Sequence, residues 1–160
     1  MDIEFRYSKE DDKEGIQKLI LSKFGVREQA LDNLGNRYLL AVYNGEIVAM
    51  TGLSNKSIYN GLEVDWTCVA DDFTGRGLIT NMLSVLLKDV NTDVYCSCWG
   101  YKDSPINLKY AMDTLGFKPV IVHRLQASTD YYDCANICRH KRDGVCSCYE
   151  DLYLRRYCEV

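Results

Sequence analysis

Residues 62–79 read LEVDWTCVADDFTGRGLI, and the rest of the chain can be organised around them. The segment from Leu62 to Val69 is rich in strand-forming residues, and an apolar stripe at helical spacing begins at Leu78. Between the two lies a turn with glycine at positions 75 and 77. The stretch therefore predicts a strand, a glycine turn and the first turn of a helix.

This predicted turn has the chemistry of an anion site. The first N–H groups of a helix have no partner within the helix and carry a partial positive charge, and glycine lets a phosphate approach the backbone closely. A Gly-x-Gly turn alone is weak evidence, because it is also an ordinary tight turn. Placed between a strand and a helix, it favours a site for a pyrophosphate.

On the N-terminal side of this stretch, the sequence predicts strands and one clear helix. Alternating apolar and polar residues predict a strand over 3–7, followed by a helix that Ser8 would cap and Gly25 would end. A weaker helix is predicted over 28–34. Asn44-Gly45 separates two apolar runs, which is typical of a two-residue β-hairpin.

On the C-terminal side, helices and strands alternate. The predicted elements are a helix from Leu78 closed by 91–93, a strand over 94–99, a helix from Ser104-Pro105 to Gly116, and strands over 118–125 and 147–157. We predict a single domain over 1–160, of mixed α/β (α+β) class, with a cysteine-rich loop at about 130–148 before the last strand. One mixed sheet with helices on its faces fits this order.

The composition excludes several classes of protein. With 47% hydrophobic residues the chain can form a packed core. A net charge of -4, with no basic run except the short stretch 139–142, argues against nucleic acid as a partner. The longest apolar runs, such as 38–43, are far shorter than the roughly 20 residues that span a bilayer. Residues 1–6, MDIEFR, do not have the basic segment and apolar stretch that are typical of a secretory signal. We expect a soluble, cytoplasmic protein that does not bind membranes, as a monomer or a homodimer.

At the glycine turn, the sequence resembles the GNAT superfamily of N-acetyltransferases. That family carries Arg/Gln-x-x-Gly-x-Gly/Ala between a strand and a helix, and this chain has Gly75 and Gly77 in the family's usual spacing. Thr74 stands where Arg or Gln is usual, and Ile79 stands where Gly or Ala is usual. The stretch 113–117, DTLGF, also resembles the family's Leu-Gly-Phe at the end of a helix. The resemblance covers nearly the whole chain.

A closer likeness is to the bacterial β-lysine N-acetyltransferases. The stretches that carry it are 63–65 (EVD), 68–69 (CV), 75–78 (GRGL), 115–117 (LGF) and 150–152 (EDL). This likeness suggests small amino compounds as acceptors, but the motifs mostly concern cofactor binding and the fold. The acceptor amine is left open.

The superfamily resemblance implies acetyl-CoA as co-substrate, a GNAT-like sheet that is mostly antiparallel with helices on both faces, and acetyl transfer to a primary amine of a small molecule or peptide by direct attack in a ternary complex. It also implies the residues that bind acetyl-CoA, at the end of the strand and in the turn: Cys68, Val69, Ala70, Thr74, Gly75, Arg76, Gly77, Leu78 and Ile79. In this assignment Arg76 supplies the charge missing at Thr74, and Ile79 could crowd the pyrophosphate.

The same resemblance implies catalytic residues. Glu63 stands where several family members carry a glutamate that acts as general base, with Asp65 in reserve. Simple alternation would place Glu63, Asp65 and Thr67 on one face of the strand and Val64, Trp66 and Cys68 on the other. The family's usual general acid, a helix tyrosine, is replaced by Met112, and Tyr101, Ser104 or a water are alternatives.

The chain has eight cysteines, and four of them lie between residues 134 and 148. Cys134, Cys138, Cys146 and Cys148, with His140 as a substitute, could hold a structural Zn²⁺. The spacings are not those of common zinc knuckles, and free thiols explain the same cysteines equally simply. Two other functions stay open. One is a catalytically silent acyl-CoA sensor or interaction module, which Met112 and Thr74 would permit, and the other is a metal-binding regulatory domain, which rests on these cysteines alone.

Overall fold

The computed structural model describes residues 2–24, 35, 37–55, 59–101, 108–125 and 148–157. The strands in these ranges are β1 (Glu4–Tyr7), β2 (Tyr38–Tyr43), β3 (Glu46–Ser54), β4 (Leu62–Val69), β5 (Val94–Tyr101), β6 (Lys118–Leu125) and β7 (Cys148–Arg155). The helices are α1 (Lys13–Phe24), α2 (Leu78–Leu86) and α3 (Lys109–Thr114).

The strands form one sheet in the order β1-β2-β3-β4-β5-β7-β6. Neighbouring strands are antiparallel except β4 and β5, which are parallel. A parallel pair requires a crossover connection, and here α2 provides it. The predicted class, a mixed and mostly antiparallel sheet with helices on both faces, is confirmed.

Each face of the sheet carries its own hydrophobic core. On the face covered by α1, hereafter the α1 face, Ile16 and Ile20 pack on Tyr38, Leu40 and Met50. On the opposite face, hereafter the α2 face, residues of α2 and α3 and the residue just before β6 join alternate strand residues: Met82, Leu83, Met112, Phe117, Leu39, Ala41, Cys96 and Tyr153. Because strand side chains alternate between faces, β2 supplies both cores.

The predicted hairpin is confirmed, with Asn44 (φ 51°) and Gly45 (φ 82°) joining β2 and β3. Positive φ at both central residues is the geometry that favours Asn-Gly in two-residue hairpins. The predicted weaker helix over 28–34 and the predicted helix start at Ser104-Pro105 lie outside the described residues. The helix from Leu78 ends earlier than predicted, at Leu86.

Ser8 does not cap α1, so that prediction is wrong. The Ser8 hydroxyl is buried and donates to the Gly35 carbonyl at 2.7 Å while accepting the Tyr38 N–H at 3.1 Å. A short 3-10 turn precedes α1, and there Asp12 accepts the Lys9 N–H at 2.8 Å. Ser8 instead joins the end of β1 to the start of β2. In the parts of the chain described above, no helix has the length and apolarity needed to cross a membrane.

Candidate active site

The parallel strands β4 and β5 stay together only at their first residues. Leu62 pairs with Val94 and Glu63 with Tyr95. Beyond these pairs, β4 continues along β3 as far as Val69, while β5 pairs with β7 over its whole length. The two strands therefore part after Glu63. The gap opens toward their carboxyl ends, which is the side where ligands bind in open α/β sheets.

A one-residue bulge interrupts β4 beside this gap. Gly52 of β3 is opposite Asp65, but Met50 is opposite Cys68, so two residues of β4 share Thr51 as their partner. An extra residue in one strand of an antiparallel pair bends that strand and disturbs its alternation. Bulges of this kind often adjoin active sites.

The bulge moves side chains to faces that simple alternation does not predict. Val64 packs against the core on the α2 face, whereas Trp66 and Cys68 pack on the α1 face. Asp65 also lies on the α1 face, next to Tyr38. The prediction that Val64 shares a face with Trp66 and Cys68 is therefore wrong, because Asp65 and Trp66 are consecutive residues on one side of the sheet.

Glu63 and Asp65 do share a face, as predicted, but Thr67 does not join them. The Thr67 hydroxyl lies 2.7 Å from that of Thr51. Thr51 is opposite Leu39, which belongs to the α2-face core. Glu63 precedes Val64, which packs on the α2 face, so strand alternation places Glu63 on the α1 face at the point where β4 and β5 separate.

The backbone at the end of β4 directs one N–H group toward the gap. The Ala70 N–H donates to the Val48 carbonyl at 2.8 Å, so residues 48 and 70 form a hydrogen-bonded pair. The next pair, Ala49 and Val69, is then of the non-hydrogen-bonded kind, whose N–H groups point away from each other. Of the three residues predicted to contact acetyl-CoA here, Val69 directs its N–H to the open edge, whereas Cys68 is buried.

The glycine turn leads from β4 into α2 with its backbone accessible. Gly75 and Gly77 both have φ 72°, and Gly77 is the N-cap of α2. No side chain caps the helix and no acidic residue lies in its first turn. A Cβ at either glycine would meet nothing within 4 Å. Positive φ thus requires glycine at these positions, and the space around them is open to a ligand.

The side chains of Thr74 and Arg76 form hydrogen bonds within the turn itself. The Thr74 hydroxyl donates to the Asp71 carbonyl at 2.8 Å, which closes the turn. Arg76 donates to the Asp72 carbonyl at 2.9 Å and lies over the Phe73 ring at 5.3 Å. Arg76 is nevertheless exposed, so its guanidinium has solvent on one side. An anion at this turn would meet backbone N–H groups and the Arg76 guanidinium.

The first two residues of α2 point into the protein. Leu78 and Ile79 are buried in the α2-face core. Ile79 replaces the small residue of the family pattern, and its side chain is directed away from the turn. The geometry therefore removes the steric conflict that the sequence suggested for Ile79.

Asp65 is held in an ion pair. Arg37 Nη2 lies 2.5 Å from Asp65 Oδ2, and Nε donates to the same oxygen at 3.2 Å. The Tyr38 hydroxyl also donates to Oδ2 at 3.2 Å, and the Trp66 N–H donates to Oδ1 at 2.9 Å. These hydrogen bonds engage both carboxylate oxygens and hold Asp65 against β2 and its own strand.

A glycine makes the contact between Tyr38 and Asp65 possible. Tyr38 on β2, Gly52 on β3 and Asp65 on β4 are aligned across three strands. A Cβ at Gly52 would lie 2.7 Å from Tyr38 Cδ1 and 2.8 Å from the Arg37 carbonyl oxygen. The tyrosine ring thus lies across the glycine and reaches the carboxylate two strands away.

We expect Gly52→Ala to destabilise the protein by about 1–3 kcal/mol, because the new methyl group overlaps a ring and a backbone oxygen. Urea unfolding measures the change. Gly15→Ala is the matched control, since its Cβ would meet only the mobile end of Ile47, 2.9 Å from Cδ1. Alanine also favours a helix over glycine by about 1 kcal/mol. Equal stability of the Gly52 variant and the wild type would contradict the close approach.

Cys68, Cys96 and Cys98 are buried and suited to packing. Burial raises the pKa of Cys68 to about 12, partly offset by Lys23. Cys96 and Cys98 lie side by side in β5, with their sulfurs 3.6 Å apart. The pKa of Cys96 is raised by the hydrogen bond with Cys98 and by burial. The thiols of Cys68 and Cys96 therefore stay neutral near pH 7, which makes them weak nucleophiles.

The residues predicted to hold a metal lie mostly elsewhere. Cys134, Cys138, His140 and Cys146 are outside the described residues, and Cys148 begins β7 opposite Tyr101. Among the residues whose positions are described, no group of three or more His, Cys, Asp or Glu could hold a metal ion.

No protein-family model and no curated protein sequence matches this chain. Solved structures match its fold at low identity. The Salmonella typhimurium protein yncA, with its cofactor acetyl-CoA, has a TM-score of 0.69 at 13% identity over 100% of this chain and 96% of that one. An acetyltransferase of the GNAT family from Bacillus cereus has a TM-score of 0.67 at 12% identity, covering 99% of this chain and 100% of its own. The protein has the GNAT acetyltransferase fold.

A third matching structure contains a substrate as well as coenzyme A. Diaminobutyrate acetyltransferase from Paenibacillus lautus, in complex with L-2,4-diaminobutyric acid and coenzyme A, has a TM-score of 0.66 at 15% identity. The match covers 98% of this chain and 95% of that one. At such identities the likeness establishes the GNAT fold, and the function of this chain depends on its own residues.

Proposed function

We propose that the protein transfers an acetyl group from acetyl-CoA to a primary amine. The observation that carries this proposal is the gap between β4 and β5, with an uncapped helix N-terminus and a glycine turn at its open end. A gap between parallel strands accepts an extended ligand, and the turn beside it accepts an anion. Acetyl-CoA is an extended co-substrate with a pyrophosphate, so it fits both features.

Each part of the site then has a role. The backbone N–H groups of 75–79 bind the pyrophosphate, with Arg76 as an added cation. The Val69 N–H donates to the thioester carbonyl and stabilises the negative charge that develops on its oxygen. Glu63, on the α1 face where the strands part, accepts the proton of the amine.

The acetyl group passes directly from sulfur to nitrogen. The neutral amine attacks the thioester carbon, a tetrahedral intermediate forms, and the carbon–sulfur bond breaks. A covalent acetyl-cysteine intermediate is disfavoured, because Cys68, which lies next to Val69, is buried and its pKa is raised to about 12. Direct transfer in a ternary complex requires both substrates to be bound at once.

The acceptor is proposed only as a class. The likeness to β-lysine acetyltransferases and the small amino acid bound by the diaminobutyrate enzyme both favour small amino compounds. Peptide amines remain the second class. An acetylation assay over a panel of diamines, amino acids and peptides, with acetylated product measured by mass spectrometry, tests the proposal. Acetylation of none of the amines would overturn it.

The second candidate function is an acyl-CoA sensor without turnover. Two observations favour it: Met112, at the usual position of the acid, is fully buried, and the Thr74 hydroxyl is engaged within the turn. The sensor would bind acetyl-CoA in calorimetry without releasing CoA in the presence of any amine of the panel. Acetylated product would exclude it.

We also propose that Cys134, Cys138, Cys146 and Cys148 hold a structural Zn²⁺. Protein purified under reducing conditions without chelator should then carry near-stoichiometric metal. The combined variant Cys146→Ser and Cys148→Ser should lose the metal and lower the melting temperature, because metal binding adds to folding free energy. Cys158→Ser, outside the predicted set, is the control. Metal-free wild-type protein would overturn the proposal.

A further inference from the structure

Tyr149 of β7 leans across the neighbouring strand β5. Gly100 of β5 is its partner in the sheet. A Cβ at Gly100 would lie 2.4 Å from Tyr149 Cζ, 2.6 Å from its hydroxyl oxygen and 2.8 Å from Cε2. The contacts involve the hydroxyl end of the ring. That end therefore lies over β5, about one strand spacing of 4.8 Å from β7, on the side toward β4.

The hydroxyl of Tyr149 reaches the same level of the gap as the end of β4. The parallel register aligns Glu63 with Tyr95. Val69 is six residues after Glu63, and the bulge in β4 accounts for one of them. Val69 is therefore level with Gly100, which is five residues after Tyr95. The amide proposed to bind the thioester carbonyl and the tyrosine hydroxyl are thus on opposite sides of the gap at one level.

Tyr149 is also on the appropriate face of the sheet. It packs against the α2-face core, which contains Met112 of α3. Met112 is the residue at the family's usual tyrosine position, and its side chain is fully buried in that core. Tyr110, the tyrosine nearest to it on α3, is 75% exposed. A tyrosine hydroxyl therefore approaches the gap from the same face, but from β7 rather than from the helix.

We infer that the Tyr149 hydroxyl is the hydrogen-bond donor for the sulfur of the thioester when the carbon–sulfur bond breaks. The electron pair of that bond moves to sulfur, and the O–H group of Tyr149 stabilises the resulting thiolate. The amine proton goes to Glu63. Glu63 then gives its proton to water and the thiolate takes a proton from water, so that no further reactant is needed. A donor fixed where charge develops contributes more than water does.

This inference rests on the proposed function, but its first test needs no turnover. CoA labelled with ¹³C next to its sulfur is bound to the protein, and the pKa of its thiol is measured by NMR titration. A hydrogen bond to the thiolate lowers that pKa. We expect Tyr149→Phe to raise it by about one to two pH units and to leave the affinity for acetyl-CoA unchanged.

Two further variants separate the hydroxyl from the packing. Tyr110→Phe removes an exposed hydroxyl from α3 and should leave the thiol pKa of bound CoA unchanged. Gly100→Ala keeps the hydroxyl but displaces the ring, and should raise the pKa as Tyr149→Phe does. With an accepted amine, Tyr149→Phe should also lower turnover by about 100-fold.

The outcomes are distinguishable. If CoA fails to bind to the wild type, both the proposed function and this role of Tyr149 are overturned. If CoA binds and its thiol has the same pKa in wild type and in Tyr149→Phe, only the assignment of Tyr149 is overturned. An equal rise in Tyr110→Phe would overturn it as well.

Discussion

Gly77→Asp is expected to lower the affinity for acetyl-CoA by about 100-fold or more. Gly77 has φ 72°, and an aspartate in this conformation costs about 1–2 kcal/mol. The introduced carboxylate also repels the phosphates and competes for the first N–H groups of α2, as an N-cap side chain does. Isothermal titration calorimetry with acetyl-CoA measures the loss.

Gly77→Asn is the matched control for this prediction. Asparagine has nearly the same size as aspartate and tolerates positive φ better than most residues, but it carries no charge. Its affinity should lie between those of wild type and Gly77→Asp. Wild-type affinity in a folded Gly77→Asp protein would remove the pyrophosphate site from the turn, and with it the main support for the proposed function.

Glu63→Gln is expected to lower turnover by about 100-fold to 10,000-fold, the usual contribution of a general base. The amide keeps the shape of the carboxylate but cannot accept a proton at neutral pH. Affinity for acetyl-CoA should be unchanged, because Glu63 lies where the strands part, six residues before Val69 at the open end of the gap. Steady-state kinetics with an accepted amine and calorimetry with acetyl-CoA measure the two quantities.

Asp65→Asn is the control on the same face. The Asp65 carboxylate is engaged by Arg37 and Tyr38, so its loss should lower stability while turnover stays within about tenfold of wild type. If Asp65→Asn loses more turnover than Glu63→Gln, the base has been assigned to the wrong carboxylate. The acetyl-CoA site would be unaffected by that result.

Much of the fold follows from patterns within short stretches of sequence. Strand alternation, the Asn44-Gly45 hairpin and the apolar stripe of α2 each depend on neighbouring residues, and each was predicted. The bulge in β4 was not, because it depends on how β4 pairs with β3. Gly52, in the apolar run that follows Asn44-Gly45, was the available signal, since a glycine inside a strand often marks a bulge or a close approach.

Some residues of the candidate site can likewise be predicted from a short stretch of sequence, and others cannot. The glycine turn and the carboxylates of β4 are visible in one continuous stretch. The role of Asp65 depends on Arg37 and Tyr38, which are 28 and 27 residues away in sequence, so no local pattern reveals it. Tyr149 and Gly100 belong to distant segments, and only the order of strands in the sheet brings them together.

Tyr38 over Gly52 and Tyr149 over Gly100 make two pairs of positions that cannot vary separately. An ordinary side chain at either glycine displaces the ring, and loss of either ring leaves a groove across the sheet. During divergence, each pair should therefore be inherited or exchanged as a unit. In an alignment of related sequences, such covariation between distant positions would identify relatives that keep this site even where the sequence of the glycine turn has changed.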